Sequence, residues 1–186
     1  MKIIPAILTN DTRELNELLR QIRDSKKFDR VQIDFVDGEY ARNKSIGVAD
    51  LPPGRGGLKY DAHLMVVEKN VKEYVQAAKI WGFDRIIAQV ESISHPEDFT
   101  CLAVDLKTPV EKIEPYLLKL DLVVLMGVQA GQGGQDFDER VLDKIKKVSG
   151  RVRICVDGGV EKEHLQMLED LGVDEVAVGA KRVLEW

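Results

Sequence analysis

Two aspartates and one histidine, Asp34, Asp157 and His63, fall in short apolar runs, at the end where a parallel barrel does its chemistry. The runs are Gln32-Ile33-Asp34-Phe35-Val36-Asp37-Gly38, Asp61-Ala62-His63-Leu64-Met65 and Val156-Asp157-Gly158-Gly159. A lone aspartate there most simply caps a loop or pairs with a cation. Two of them, with a histidine on a third run, point instead to a functional site built from titratable groups. Strand alternation also places Gln32 on the same face as Asp34.

Glycines mark the opposite half of the same rim: Gly131-Gln132-Gly133-Gly134, then Gly158-Gly159, then Gly179-Ala180. Any one pair is explained by a tight turn. Three clusters at adjacent strand ends make a cradle of backbone N–H groups, and the loops after strands seven and eight are the common phosphate site of such barrels.

The elements that must hold these residues are short Val, Ile and Leu runs alternating with amphipathic stretches, the pattern of parallel strands joined by crossover helices. Eight strands are predicted: Lys2 to Leu8, Arg30 to Phe35, Tyr60 to Met65, Arg85 to Val90, Cys101 to Asp105, Leu122 to Met126, Arg153 to Val156 and Glu175 to Val178. Leu15, Leu18, Leu19 and Ile22 form one helical face that Asp11 caps with Glu14 reaching back, and Val71, Tyr74, Val75 and Ala78 form another. Thr108, Pro109 and Glu111 signal a third helix start, with Pro115 limiting or bending it. Val141, Leu142, Ile145 and Val148 mark a fourth helix, and Leu165, Leu168 and Leu171 a fifth. The crossovers after strands two and four, and the tail after strand eight, are too short or too broken for full helices. The expected architecture is a compact single-domain (β/α)8 TIM barrel over residues 1–186, with reduced helices after strands 2, 4 and 8. Its bare staves are expected to be covered by another subunit in a homo-oligomer.

Composition agrees with one folded domain, 44% hydrophobic and 32% charged, although 186 residues is short for eight units that usually take roughly 250. A net charge of -5 argues against nucleic acid as a partner. The basic groups Lys144, Lys146 and Lys147, and Arg20, Arg23, Lys26 and Lys27, read as solvated helix faces. Cys101 and Cys155 lack metal or disulfide spacing and read as buried thiols. With no signal peptide and no membrane span, a cytoplasmic protein is expected.

Taken in order, the runs around Asp34, His63 and Asp157, together with Leu125-Met126-Gly127-Val128 and Gly133-Gly134-Gln135-Asp136-Phe137, resemble the ribulose-phosphate 3-epimerase pattern. Pro5-Ala6-Ile7-Leu8 is a weaker match, and the resemblance spans nearly the whole chain. It implies interconversion of D-ribulose 5-phosphate and D-xylulose 5-phosphate, a reaction of the pentose phosphate pathway, by proton removal and return at C3. Asp34 and Asp157 match the family's two acid/base aspartates. The family's divalent metal, Zn, Fe, Mn or Mg, is held by those aspartates and two histidines and stabilises the enediolate. His63 matches one histidine; Gln32 stands where the other belongs, offering a weaker amide ligand and favouring Mg or Mn over Zn. Met65 and Met126 match methionines near the reacting carbons, and Val36 replaces another.

Further departures are Ala6 for the family's Ser, Glu39-Tyr40-Ala41-Arg42-Asn43 after the Asp-Gly turn, and Gln89-Val90-Glu91 for its His-x-Glu. The phosphate grip is kept better than the metal grip, and retention of the metal stays open. The alternative reading is a phosphosugar-binding barrel, non-catalytic or altered in specificity, that lost a ligand histidine. A decarboxylase or aldolase fits worse, since the Asp-x-Lys-x-x-Asp pattern is absent from strand three and no inward lysine offers Schiff-base chemistry. Glu91 and Asp105 are possible substitute acids, with a hydrogen-bonded structural role favoured for both.

Overall fold

The computed structural model describes all 186 residues. Eight strands run β1 Lys2–Ile7, β2 Arg30–Val36, β3 Lys59–Met65, β4 Arg85–Gln89, β5 Cys101–Val104, β6 Leu122–Met126, β7 Ile154–Asp157 and β8 Glu175–Gly179. All pair in parallel in chain order, and β8 returns to β1 to close the barrel. Parallel strands of this kind are buried on both faces, which is why β6 reads Leu-Val-Val-Leu-Met without a polar break.

Helices cover the barrel unevenly: α1 Thr12–Ser25, α2 Glu68–Trp81, α3 Arg140–Val148, α4 Leu165–Asp170 and α5 Ala180–Leu184. The connection after β2 holds only a 3-10 turn at Val48–Asp50, and that after β4 two turns at Val90–Ser92 and Pro96–Asp98. The predicted shortfalls are therefore where the sequence put them. Over β4 the missing helix leaves a groove lined by Ile86, Ile93 and Phe99, beside the exposed Ile80 of α2. No helix is long and apolar enough to cross a membrane.

The core has three parts. Two apolar clusters lie between strands and outer elements, and a third, with Ile87, Ala103, Val124 and Cys155, fills the barrel. Both cysteines are buried and unbonded, and burial pushes each thiol up from its ordinary value. At the amino-terminal end of the strands, buried Asp61 is held by Arg30 and by Arg85 (2.5 Å), while buried Glu175 takes Arg85 (2.8 Å) and Arg153 (2.6 Å). This closed charge network plugs the end opposite the candidate site.

Three local expectations need correction. Asp11 does cap α1, accepting from the Arg13 N–H at 2.8 Å, but Glu14 takes the Thr9 hydroxyl and pairs with Lys181 instead of reaching back. The segment after Thr108 is a 3-10 stretch, Val110–Lys119, in which Thr108 makes no side-chain cap. Pro115 has no N–H to continue an α-helical ladder. Lys144 is no solvated cation: it is half-buried and donates to the carbonyls of Asp105 (2.6 Å) and Thr108 (2.7 Å), clamping that turn.

Candidate functional site

Register brings the candidate residues together. Asp34 on β2 pairs with His63 on β3, and Met126 on β6 pairs with Asp157 on β7, all near the carboxyl ends of their strands. Four interior side chains then meet. Gln32, 1% exposed, donates from one amide nitrogen to Asp34 Oδ1 at 2.8 Å and to Asp157 Oδ2 at 2.7 Å. His63 is fully buried, with Nδ1 3.3 Å from Asp34 Oδ1 and 3.2 Å from Asp157 Oδ2. The two aspartates, on strands separated by β8 and β1, thus share one pair of partners.

The charges in this cluster shift one another. Burial raises the Asp34 carboxyl above its ordinary value and the Asp157 charge adds to that, against hydrogen bonds from His63 and Gln32. Burial alone depresses a histidine, but the two carboxylates outweigh it and push His63 up to about 9.

Each aspartate uses one oxygen on this cluster. The other two, Asp34 Oδ2 and Asp157 Oδ1, have no protein hydrogen-bond partner, and both side chains line a cavity of about 400 Å³. Met65, Met126, Gly133, Gly134, Gly158, Gly159, Gly179 and Ala180 line the same cavity. None of the N–H groups of Gly133, Gly134, Gly158 and Gly159 donates to a protein acceptor, so all four are available to an anion. The tight-turn explanation also holds in part. Gly158 and Gly159 have φ of +97° and +71°, and a Cβ on Gly159 would meet the Phe137 backbone N at 2.5 Å. Gly134 shares the positive φ, at +75°, but Gly179 does not, and a Cβ on Gly179 would meet nothing within 4 Å.

The donor set fits a divalent ion. Asp34, His63 and Asp157 offer three ligand atoms within 4.8 Å of one another. The 3.2 and 3.3 Å separations match the roughly 3.4 Å edge of a tetrahedron with metal bonds near 2.1 Å. The Gln32 amide nitrogen occupies the fourth corner; a half-turn of that amide would present its carbonyl oxygen instead.

Other candidates lie elsewhere. Glu91 accepts from the Asp105 N–H at 2.9 Å, and Asp105 accepts from the Ala130 N–H at 3.0 Å, so both brace the rim, as favoured. Asp37 ties down its loop by accepting from Glu39, Tyr40, Val67 and Asn70. His164 stacks on Phe137, and His95 is exposed. Sequence reasoning missed three residues. Lys181 and Arg182 line the glycine end of the cavity, where they read as part of a surface tail; Gln89 sits behind His63.

Comparison with known proteins fits this geometry. The family model described as "Ribulose-phosphate 3 epimerase family" matches residues 2–183. Similar proteins include ribulose-phosphate 3-epimerase of Bacillus subtilis (strain 168), 33% identical over 97% of this chain and 91% of the relative. The protein of the same name from Escherichia coli (strain K12) is 30% identical over 96% of this chain and 87% of its own length. Among solved structures, a mutant tryptophan synthase alpha-subunit from Pyrococcus furiosus superimposes with a TM-score of 0.64 at 16% identity, covering 99% of this chain and 88% of that one. Phosphoribosyl anthranilate isomerase from Thermus thermophilus gives 0.62 at 13% identity, covering 99% and 95%. At such low identities these two show the barrel fold alone.

Proposed function

The chain belongs to the ribulose-phosphate 3-epimerase family, and from that premise we propose that it interconverts D-ribulose 5-phosphate and D-xylulose 5-phosphate by proton transfer at C3. The observation that carries the reading is the pair of unpartnered carboxylate oxygens, Asp34 Oδ2 and Asp157 Oδ1, on side chains that line one cavity. One aspartate takes the C3 proton from one face of the sugar. The other returns a proton to the opposite face, and the stereocentre inverts with no net change in atoms. In the reverse direction the two exchange roles. Burial raises Asp34 toward the pH at which a carboxyl both gives and takes a proton. The free N–H groups of Gly133, Gly134, Gly158 and Gly159 hold the phosphate at the far rim, beside Lys181 and Arg182, which are ion-paired to Glu14 and Glu161.

Asp34, His63 and Asp157, joined by the Gln32 carbonyl after its amide turns, would hold a divalent ion. When bound, such an ion supplies electrostatic stabilisation to negative charge developing on the substrate oxygens. Three oxygen donors to one imidazole favour Mn or Mg over Zn at this site. Met65 and Met126 contribute apolar contact beside the reacting carbons.

The test is solvent-deuterium incorporation at C3 of ribulose 5-phosphate by pure protein supplied in turn with Mn, Fe, Zn and Mg. Label should enter, and should be lost in Asp34→Asn and Asp157→Asn. Absence of label under every metal would exclude this substrate. A second reading, phosphosugar binding without turnover, is favoured by one feature: the Gln32 amide satisfies both aspartates without any ion. It requires ligand binding that survives complete metal removal and Asp34→Asn, so measurable epimerisation eliminates it.

A further inference from the structure

Behind His63 lies a side chain that the proposed proton transfer does not use. Gln89 ends β4 and is fully buried. Its amide nitrogen is 2.9 Å from His63 Nε2, and no other group contacts that ring nitrogen within hydrogen-bond distance. The amide oxygen, Oε1, is buried with no donor at all. An amide taken out of water with one end unpartnered costs about 1–3 kcal/mol. In this barrel interior the neighbours are apolar: Ile87 lies on the same strand face, and Ala103 is the strand partner of Gln89. The single polar contact of Gln89 is therefore its reason to be polar.

The two ring nitrogens of His63 have separate duties. Nδ1 faces Asp34 and Asp157, where a ligand atom must present a lone pair. A neutral ring with its lone pair at Nδ1 carries its proton on Nε2, and a buried N–H requires an acceptor. Gln89 Oε1 is the one atom able to fill that role. A half-turn of the amide brings it into the place of the nitrogen with almost no change in shape and joins the orphan oxygen to the ring.

We propose that Gln89 is a positioning residue whose Oε1 accepts the His63 Nε2–H, fixing the ring tautomer that points the Nδ1 lone pair between Asp34 and Asp157. This rests on the reading of those three residues as the working site. It gives the site a neutral orienting partner, so no further charge is buried beside two carboxylates.

The experiment pairs Gln89→Leu, which keeps shape and removes the acceptor, with Gln89→Glu, which keeps an acceptor oxygen. The first readout is the ¹⁵N signature of His63 in chelator-treated protein, readily assigned in a chain with three histidines. The second is Mn²⁺ affinity by calorimetry with the metal alone, and inorganic phosphate binding reports an intact glycine rim. Expected are a hydrogen-bonded, slowly exchanging His63 Nε2–H in the wild type and Gln89→Glu, and a shifted or exchange-broadened one in Gln89→Leu. Mn²⁺ binding should weaken about 10–100-fold in Gln89→Leu and be retained in Gln89→Glu. Identical ¹⁵N patterns in all three proteins, or equal losses of Mn²⁺ affinity in both variants, would overturn the proposal. If the wild type binds no Mn²⁺, the metal reading fails by itself, and the ¹⁵N comparison alone then decides the role of Gln89.

Discussion

Replacing Gln32 with leucine removes the amide that joins the two aspartates while keeping the volume of a side chain that is 1% exposed. Two hydrogen bonds to carboxylates are lost, at 2.8 and 2.7 Å. Each bond to a charged group is worth about 1.5–3 kcal/mol net, which bounds the loss near 6 kcal/mol. His63 stays beside both carboxylates and compensates in part, so the expected cost is about 2–4 kcal/mol. For a domain of this size that lowers Tm by about 4–16 °C. The loss should be larger in chelated protein at neutral pH than in acid, because Gln32 holds the Asp34 carboxyl down and its removal lets burial raise that group further. The assay is thermal and urea unfolding with EDTA at pH 5 and pH 7.5, with the urea slope checked for constancy. A Gln32→Leu protein melting within about 2 °C of the wild type at pH 7.5 would refute the reasoning, since two desolvated carboxylates cannot lose their donors at so small a cost.

Five further outcomes follow from the geometry. Because His63 is raised to about 9 by its two carboxylates, an entering ion must displace a proton below that pH. Mn²⁺ affinity should therefore rise about tenfold per pH unit from 7 and flatten above 9, by calorimetry in two buffers of different ionisation heat. The same raised value favours the metal-free fold fully below pH 6.5 and loses that contribution as pH climbs through 9, by up to about 3 kcal/mol in urea melts. Gly179→Val places a branched side chain in open cavity, so phosphate binding should fall while Tm holds within a few degrees; Gly159→Val meets the Phe137 backbone and should unfold the site instead. Asp61→Ala leaves Arg30 without its carboxylate and Arg85 with Glu175 alone, and should cost about 3–5 kcal/mol, read as a Tm drop of about 6–20 °C. Light scattering should give a mass above the 20.9 kDa chain if a second copy covers the groove over β4, and a clean monomer would sink that expectation.

How far the sequence could be read depended on the range of the forces involved. Strand positions were legible because burial on both faces writes itself as a continuous apolar run, and β6 was placed at Leu122–Met126 to the residue. The crossover at Thr108 was misjudged because its local signals, a hydroxyl, a proline and a glutamate, are those of an ordinary helix start. What decides its shape is Pro115 together with Lys144, which reaches in from 36 residues away to hold the Thr108 carbonyl. No window of local sequence contains that bond.

The same distinction divides the site. Asp34, His63 and Asp157 could be found because a parallel barrel delivers strand-end side chains to one rim whatever the details of packing. Gln89 could not, although the Gln-Val-Glu departure at strand four was visible. Its meaning depends on β4 lying beside β3 in a register that pairs His63 with Ile87, which sets Gln89 two residues further toward the rim and within reach of the ring. Gln32 shows the converse. Read alone it is a ligand lost, a weaker donor where an imidazole belongs. In place it carries two donors to two carboxylates, work that an unprotonated imidazole with one N–H could not do for both at once. A histidine at this position depends on an ion to reconcile Asp34 with Asp157, and a glutamine does not. The substitution therefore alters what holds the site together before any ion arrives.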